Sequence, residues 1–163
     1  MSHEVRPLSA DDTAAIFDVI NAAAERYRGE IPPESDTDPY MPIAELTEEM
    51  ADMRFYGIGT DELAGVIGVQ AVDDVTLIRH LYVRPGAQRQ GIGSTLLEAG
   101  IDRAGASTIL VGTWKAATWA IDFYEKHGFE NLGSDIDLLE RYWEVPDHQM
   151  EASVVLRYEP PAN

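Results

Sequence analysis

The sequence predicts an α/β (α+β) fold: a mixed, mostly antiparallel sheet flanked by helices. Runs with strand character are joined by short acidic turns, and other segments carry apolar residues at helical spacing. The resulting order, β-α-α-β-β-β-α-β-α-β-β, mixes hairpins with crossovers and leaves helices to cover the sheet. At 163 residues the chain suits a single domain, residues 1–163, burying about two-thirds of its unfolded surface without a metal or disulfide staple.

Val5 to Leu8 reads as a short edge strand. Ser9-Ala10-Asp11-Asp12 then supplies an N-cap to a helix whose apolar positions Ile16, Val19, Ile20 and Ala23 follow helical spacing. Gly29 to Pro42 is rich in breakers and reads as a loop inside the domain, and a second helix is expected from Ile43 to Met53. Phe55 to Ile58, Leu63 to Val72 and Val75 to Val83 read as strands, separated by Thr60-Asp61-Glu62 and by Asp73-Asp74 as hairpin turns. A helix from Gly91 to Ala104, a strand from Thr108 to Gly112 and a helix from Ala116 to His127 follow. Strands around Glu130–Ser134 and Ala152–Tyr158 complete the chain.

Composition excludes several chemistries. There is no cysteine, which removes thiol nucleophiles, disulfides and cysteine-ligated metals together. No metal site is expected. The first residues lack a basic-then-apolar leader and no apolar run has the length to span a bilayer, so a cytoplasmic protein without membrane contact is expected. Twenty-nine acidic against twelve basic residues give a net charge of −17, and only Lys115 and Lys126 are lysines. Non-specific nucleic-acid binding is disfavoured. Such a surface either attracts cationic substrates or reflects adaptation to high salt; the second, halophilic reading is preferred, since net charge acts on solubility more than on a particular site. Thermal stability is then expected to rise from low to molar salt as screening relieves self-repulsion. A flat or falling melting temperature over that range counts against salt adaptation.

The chemistry concentrates where Leu81-Tyr82-Val83 runs through Arg84 to Ala87 into Gln88-Arg89-Gln90-Gly91-Ile92-Gly93-Ser94-Thr95. A strand, a polar loop and a helix start follow one another directly. Gly91 and Gly93 remove side chains where backbone N–H groups must approach a ligand, and the helix aims its unsatisfied N–H groups and positive dipole end at the same place. An anion such as a pyrophosphate fits there. Arg84 and Arg89 add positive charge, and Ser94 and Thr95 add hydroxyls. Gly-x-Gly alone also describes a plain tight turn. The dinucleotide fingerprint needs a third glycine where Leu96 stands, and a Walker loop needs Gly-Lys-Ser/Thr, which is absent.

Gln88-Arg89-Gln90-Gly91-Ile92-Gly93 resembles the Gln/Arg-x-x-Gly-x-Gly/Ala signature of the GNAT superfamily of acyl-CoA-dependent N-acetyltransferases, in the same strand-to-helix setting. Trp119 to Phe129 is similar to a second segment of that family, a helix ending in Phe-Tyr-x-Lys-x-Gly-Phe. The resemblance implies a GNAT-like sheet with a β-α-β-α acyl-CoA-binding core. It implies acetyl-CoA as cofactor, with the pyrophosphate on Gln88 to Thr95 and the pantetheine arm between the strands Val75–Val83 and Thr108–Gly112. Cofactor contacts are expected from Leu81, Tyr82, Val83, Gln88, Arg89, Gln90, Gly91, Ile92, Gly93, Ser94 and Thr95. One position departs from the family pattern: Ala117 stands where many relatives carry Asn, so no side-chain polar contact to the cofactor comes from it.

Amide formation from a thioester needs a neutral amine, a donor for the developing oxyanion and a proton for the leaving thiolate. By the resemblance Tyr124 supplies the proton; packing beside Phe123 is the alternative. Strand alternation sets His80 on one face with Tyr82, where its imidazole either accepts a proton or is a structural histidine. The segment Val75 to Val83 carries no carboxylate. The oxyanion donor is expected to be the main-chain N–H of Tyr82 or Val83. Tyr27, Glu30, Tyr40 and Trp143 are the acceptor-side candidates, drawn from the loop Tyr27–Met41 and the late segment Leu138–Pro146; Glu34, Asp36 and Asp38 add charge to the first loop, whereas Trp114 and Trp119 are expected in the core. The expected activity is direct, ternary-complex transfer of an acetyl group to a primary amine of a small molecule or an exposed amino group of a peptide. A non-catalytic acyl-CoA-binding module and a salt-adapted scaffold are the rivals, and a homodimer is left open.

Overall fold

The computed structural model describes residues 4–27, 29–31, 40–59, 62–87, 91–105, 107–143 and 147–160. Its strands form a seven-stranded, mostly antiparallel sheet in the order β1-β2-β3-β4-β5-β7-β6. They are β1 Val5–Pro7, β2 Arg54–Ile58, β3 Gly65–Val72, β4 Val75–Val83, β5 Thr108–Trp114, β6 Glu130–Asn131 and β7 Ser153–Tyr158. The helices are α1 Thr13–Ala24, α2 Ile43–Met50, α3 Ile92–Ala104, α4 Thr118–Lys126, α5 Ile136–Tyr142 and α6 Asp147–Glu151. Two compact units arise, one from Met1–Arg26, Asp38–Gln70 and Ile78–Arg103, the other from Tyr27–Thr37, Ala71–Leu77 and Ala104–Asn163.

In the first unit Ser9 caps a 3-10 turn, Ala10–Asp12, rather than α1 directly: its hydroxyl accepts from Asp11 N–H while its own N–H donates to Asp12. Helix α1 buries Ile16, Val19, Ile20 and Ala24, so the last apolar position is one residue beyond the expected Ala23. Ile16, Val19 and Ile20 meet Leu46 of α2, Phe55 of β2, Leu63 and Val66 in one apolar cluster. Each such burial contributes about 1.5–3 kcal/mol. Helix α2 stops at Met50, three residues before the expected end, and the chain turns through Ala51–Met53 into β2. Register pairs Phe55 with Gly68 across β2 and β3. A Cβ on Gly68 would lie 2.8 Å from the Phe55 ring, so the absent side chain is what lets that ring lie flat over β3.

In the second unit β7 lies between β5 and β6 and pairs antiparallel with both. Leu110, Leu139, Tyr142, Met150 and Val155 pack together with Leu77. Strand β6 is shorter than the expected Glu130–Ser134, because Gly133 turns to φ +74° and Leu132 N–H donates to Val155 O. Residues Ile136–Tyr142, which run into the late segment Leu138–Pro146, are helical, with the Asp135 carboxylate accepting from Leu138 N–H at 3.1 Å. A second short helix, α6, precedes β7.

Candidate active site

Strand β4 leads the chain to the expected phosphate-binding turn. Leu81, Tyr82 and Val83 are half-buried at its end, followed by a 3-10 turn at Pro85–Ala87. Arg84 is tied back onto the strand-side loop. Its Nε donates to Leu63 O at 2.6 Å and its guanidinium stands 3.4 Å from Glu62, so its charge is already engaged. Gln88, Arg89 and Gln90 lie outside the described residues. Gly91 has φ +78°, a backbone that favours glycine, and it opens α3. Its carbonyl accepts from both the N–H and the hydroxyl of Thr95, each at 3.0 Å. Thr95 therefore fixes the helix start, and its hydroxyl is directed to Gly91 rather than outward. The N–H groups of Ile92 and Gly93 precede the first intrahelical bond, in the place where a helix start receives an anion. The Ile92 side chain is buried.

The second feature of this unit surrounds His80. Its side chain is 8% exposed and its Nε2 lies 2.8 Å from Glu49 Oε1. The ring stacks on Phe55 at 5.7 Å between centroids, and Tyr82 sits 6.0 Å along the same strand face, where alternation set it. Glu49 comes from α2, so the carboxylate missing from β4 itself is supplied by a helix 31 residues earlier in the chain. Nothing in the spacing along β4 points to Glu49. Its one available signal was the pair Glu45 and Glu49, four apart and so on one helix face.

Burial first, and then the neighbouring Glu49, hold the Glu45 carboxyl above its ordinary value; His80 works against this and Glu48 adds to it. A carboxyl raised in the folded state burdens the fold at pH above that raised value, and the burden ends once pH falls below the unfolded value. Glu45→Gln is thus expected to raise the melting temperature at about pH 7, by more than the exposed Glu98→Gln does, with the gain closing as pH falls to about 4. A gain that stays constant over that range would contradict the assigned cause.

Tyr124 belongs to the second unit. It is 5% exposed, on α4, with its ring edge-on to Phe123 and Phe129 at 5.4 Å each. Burial, and behind it the Tyr27 phenol, pushes its pKa well above the ordinary value, so the hydroxyl keeps its proton across neutral pH. Tyr27 itself stacks on Trp119 at 6.1 Å. Trp119, expected in the core, is half-buried there, whereas Trp114 is fully in the core. Ala117, at the start of α4, is 1% exposed and offers no side-chain cap.

The other acceptor-side candidates do not gather at one place. Glu30 is exposed, and its N–H donates to Tyr27 O. Tyr40 packs half-buried on the α1–α2 cluster. Trp143 lies over the backbone of Gly112, where an added Cβ would be 3.3 Å from its ring. Glu34, Asp36 and Asp38 lie outside the described residues. Among the described residues no group of three or more His, Asp or Glu side chains is arranged to hold a metal ion, and no helix is long and apolar enough to cross a membrane.

The helix start at Gly91 and the His80–Glu49 pair both belong to the first unit, and an anion-receiving helix start and a carboxylate–imidazole pair are groups that an acyltransferase can use. Residues 51–131 match the acetyltransferase (GNAT) domain, and the chain belongs to the GNAT superfamily. Solved structures with the same fold include the PaiA N-acetyltransferase of Thermoplasma acidophilum in complex with coenzyme A. It is 20% identical, with a TM-score of 0.74 over 98% of this chain and 100% of that one. The ribosomal-protein-S18-alanine N-acetyltransferase of Escherichia coli is 19% identical, with a TM-score of 0.70 over 97% and 94% of the two chains. An acetyltransferase of Bacillus subtilis in complex with coenzyme A is 21% identical, with a TM-score of 0.68 over 98% and 100%. No curated protein matches the sequence.

Proposed function

We propose that residues 1–163 act as one N-acetyltransferase domain that transfers the acetyl group of acetyl-CoA directly to a primary amine, on a small molecule or as an exposed amino group. The observation that carries this reading is the turn from β4 into α3, where Gly91 at φ +78° opens a helix start whose first N–H groups suit a pyrophosphate. Acetyl-CoA as the cofactor agrees with the family and with the coenzyme A held by the relatives from T. acidophilum and B. subtilis. In this scheme the His80–Glu49 pair serves the amine, a main-chain N–H near Tyr82 or Val83 meets the oxyanion, and Tyr124 donates to the departing thiolate. With no cysteine in the chain, no thioester-linked acyl-enzyme arises.

The packing of Tyr124 between Phe123 and Phe129 favours a second reading, a non-catalytic acyl-CoA-binding module. Release of free coenzyme A from acetyl-CoA with a broad panel of primary amines separates the two. Amide product with at least one amine is the expected result. Tight coenzyme A binding without transfer to any amine supports the binding module, and failure to bind coenzyme A at all leaves only a scaffold.

A further inference from the structure

We infer that Glu49, not His80, is the catalytic residue that meets the acceptor's ammonium and takes its proton, and that His80 is a positioning residue that holds Glu49 in place. The inference rests on the acetyl-transfer reading above and assigns the base within it.

The assignment follows from the hydrogen bond and from what surrounds each end of it. An ionised carboxylate only accepts, so the bond between Glu49 Oε1 and His80 Nε2 requires the proton on Nε2. The neutral ring then carries a bare Nδ1. That atom is sealed from solvent and is the buried side-chain polar atom left without a partner among the described residues. A proton placed on it would be a buried donor with no acceptor, a costlier arrangement than a bare nitrogen. Nδ1 is also bonded to Cγ, the ring atom that carries Cβ, while the outer nitrogen is committed to Glu49. His80 therefore has no lone pair to present to an amine arriving from solvent.

Glu49 does. Its side chain is 26% exposed against 8% for His80, and only Oε1 enters the bond. The stack of Phe55 on His80, seated over Gly68, keeps the imidazole from turning away. The charged and titratable neighbours are Glu45 and Glu48 on α2 and Tyr82 on β4, while α1 contributes apolar side chains to the shared cluster. Glu45, one turn before Glu49, adds a second negative charge for a cationic amine.

In the step itself R–NH3+ gives one proton to Glu49, and the neutral nitrogen attacks the thioester carbonyl carbon to form the C–N bond. The C–S bond breaks with its electrons on sulfur. The thiolate gains a proton while the nitrogen loses its second one, and Glu49 returns its proton to water. The balance is R–NH3+ plus acetyl-CoA giving the acetamide, coenzyme A thiol and one proton.

Glu49→Gln keeps an amide oxygen to accept from His80 and removes charge and basicity. Its kcat/KM for the amine is expected to fall by about 10²–10⁴ near neutral pH, with the acetyl-CoA KM unchanged. The deficit should shrink as pH approaches the amine's ordinary value of about 10.4, where neutral amine forms without a base. His80→Gln keeps a donor toward Glu49 and is expected to lose only about tenfold, with the wild-type pH profile. A larger loss in His80→Gln than in Glu49→Gln, or a Glu49→Gln deficit that does not change with pH, overturns the assignment while acetyl transfer stands. Absence of transfer by the wild-type protein to every amine overturns both.

Discussion

Replacing Tyr124 by Phe is expected to lower kcat by about one to three orders of magnitude, with coenzyme A affinity nearly unchanged. The substitution removes one hydroxyl and keeps the ring that packs on Phe123 and Phe129, so stability should hardly move. Burial keeps this phenol protonated well past neutral pH. Its pKa lies above the ordinary thiol value of about 8.5, so complete transfer to a free thiolate is uphill. The hydroxyl thus acts chiefly as a hydrogen-bond donor to charge building on sulfur as the C–S bond opens, a stabilisation made in the transition state alone. A phenol that does not titrate between about pH 6 and 9 also makes the deficit independent of pH over that range. The flat pH profile expected for Tyr124→Phe and the shrinking deficit expected for Glu49→Gln distinguish the acid from the base. Full kcat in Tyr124→Phe on a productive acceptor would end the proton-donor role and leave the packing role alone.

Gly93→Val is expected to weaken coenzyme A binding by about ten- to a hundredfold, the loss of one charge-assisted hydrogen bond worth about 1.5–3 kcal/mol. Gly93 lies inside the first turn of α3 with ordinary helical backbone, so the branched side chain covers N–H groups without breaking the helix. Gly91→Val should weaken binding too, by a different route. A Cβ there meets nothing within 4 Å, but φ is +78°. Backbone strain of about 1–3 kcal/mol then either lowers the melting temperature or moves the turn. Comparing the two by calorimetric titration and thermal melting separates a blocked donor from a displaced turn. Unchanged affinity in both variants removes this turn as the cofactor site.

Several features of the chain were legible because their causes are local. The period of two in Val75 to Val83 set His80 beside Tyr82, as their rings stand. Asp73-Asp74 announced a tight hairpin, and Asp73 takes the positive φ of +52° that such a turn demands. Glycine at the junction of strand and helix marked the turn at Gly91, since contiguous residues alone decide that geometry. Boundaries slipped where termination depends on neighbours. Strand β6 ends early where Gly133 turns to φ +74°, and α2 ends early where the chain turns into β2. Helix α5 was missed because seven residues carry too few periods to declare a helix, although Asp135 stood ready as its cap.

By itself the sequence determined the order of the main strands and helices and the strand–turn–helix start at Gly91, consequences of spacing within a few consecutive residues, while the resemblance of Gln88–Gly93 and Trp119–Phe129 pointed to the family and its mixed sheet. Only the tertiary structure decided which carboxylate His80 meets, because Glu49 is 31 positions away and reaches the imidazole only after α2 has packed its apolar face beside β2. The same holds for β7, which enters between β5 and β6 from the far end of the chain. Strand pairing and buried ion pairs are settled by what the folded core leaves unsatisfied, a sum over distant residues that no local pattern contains.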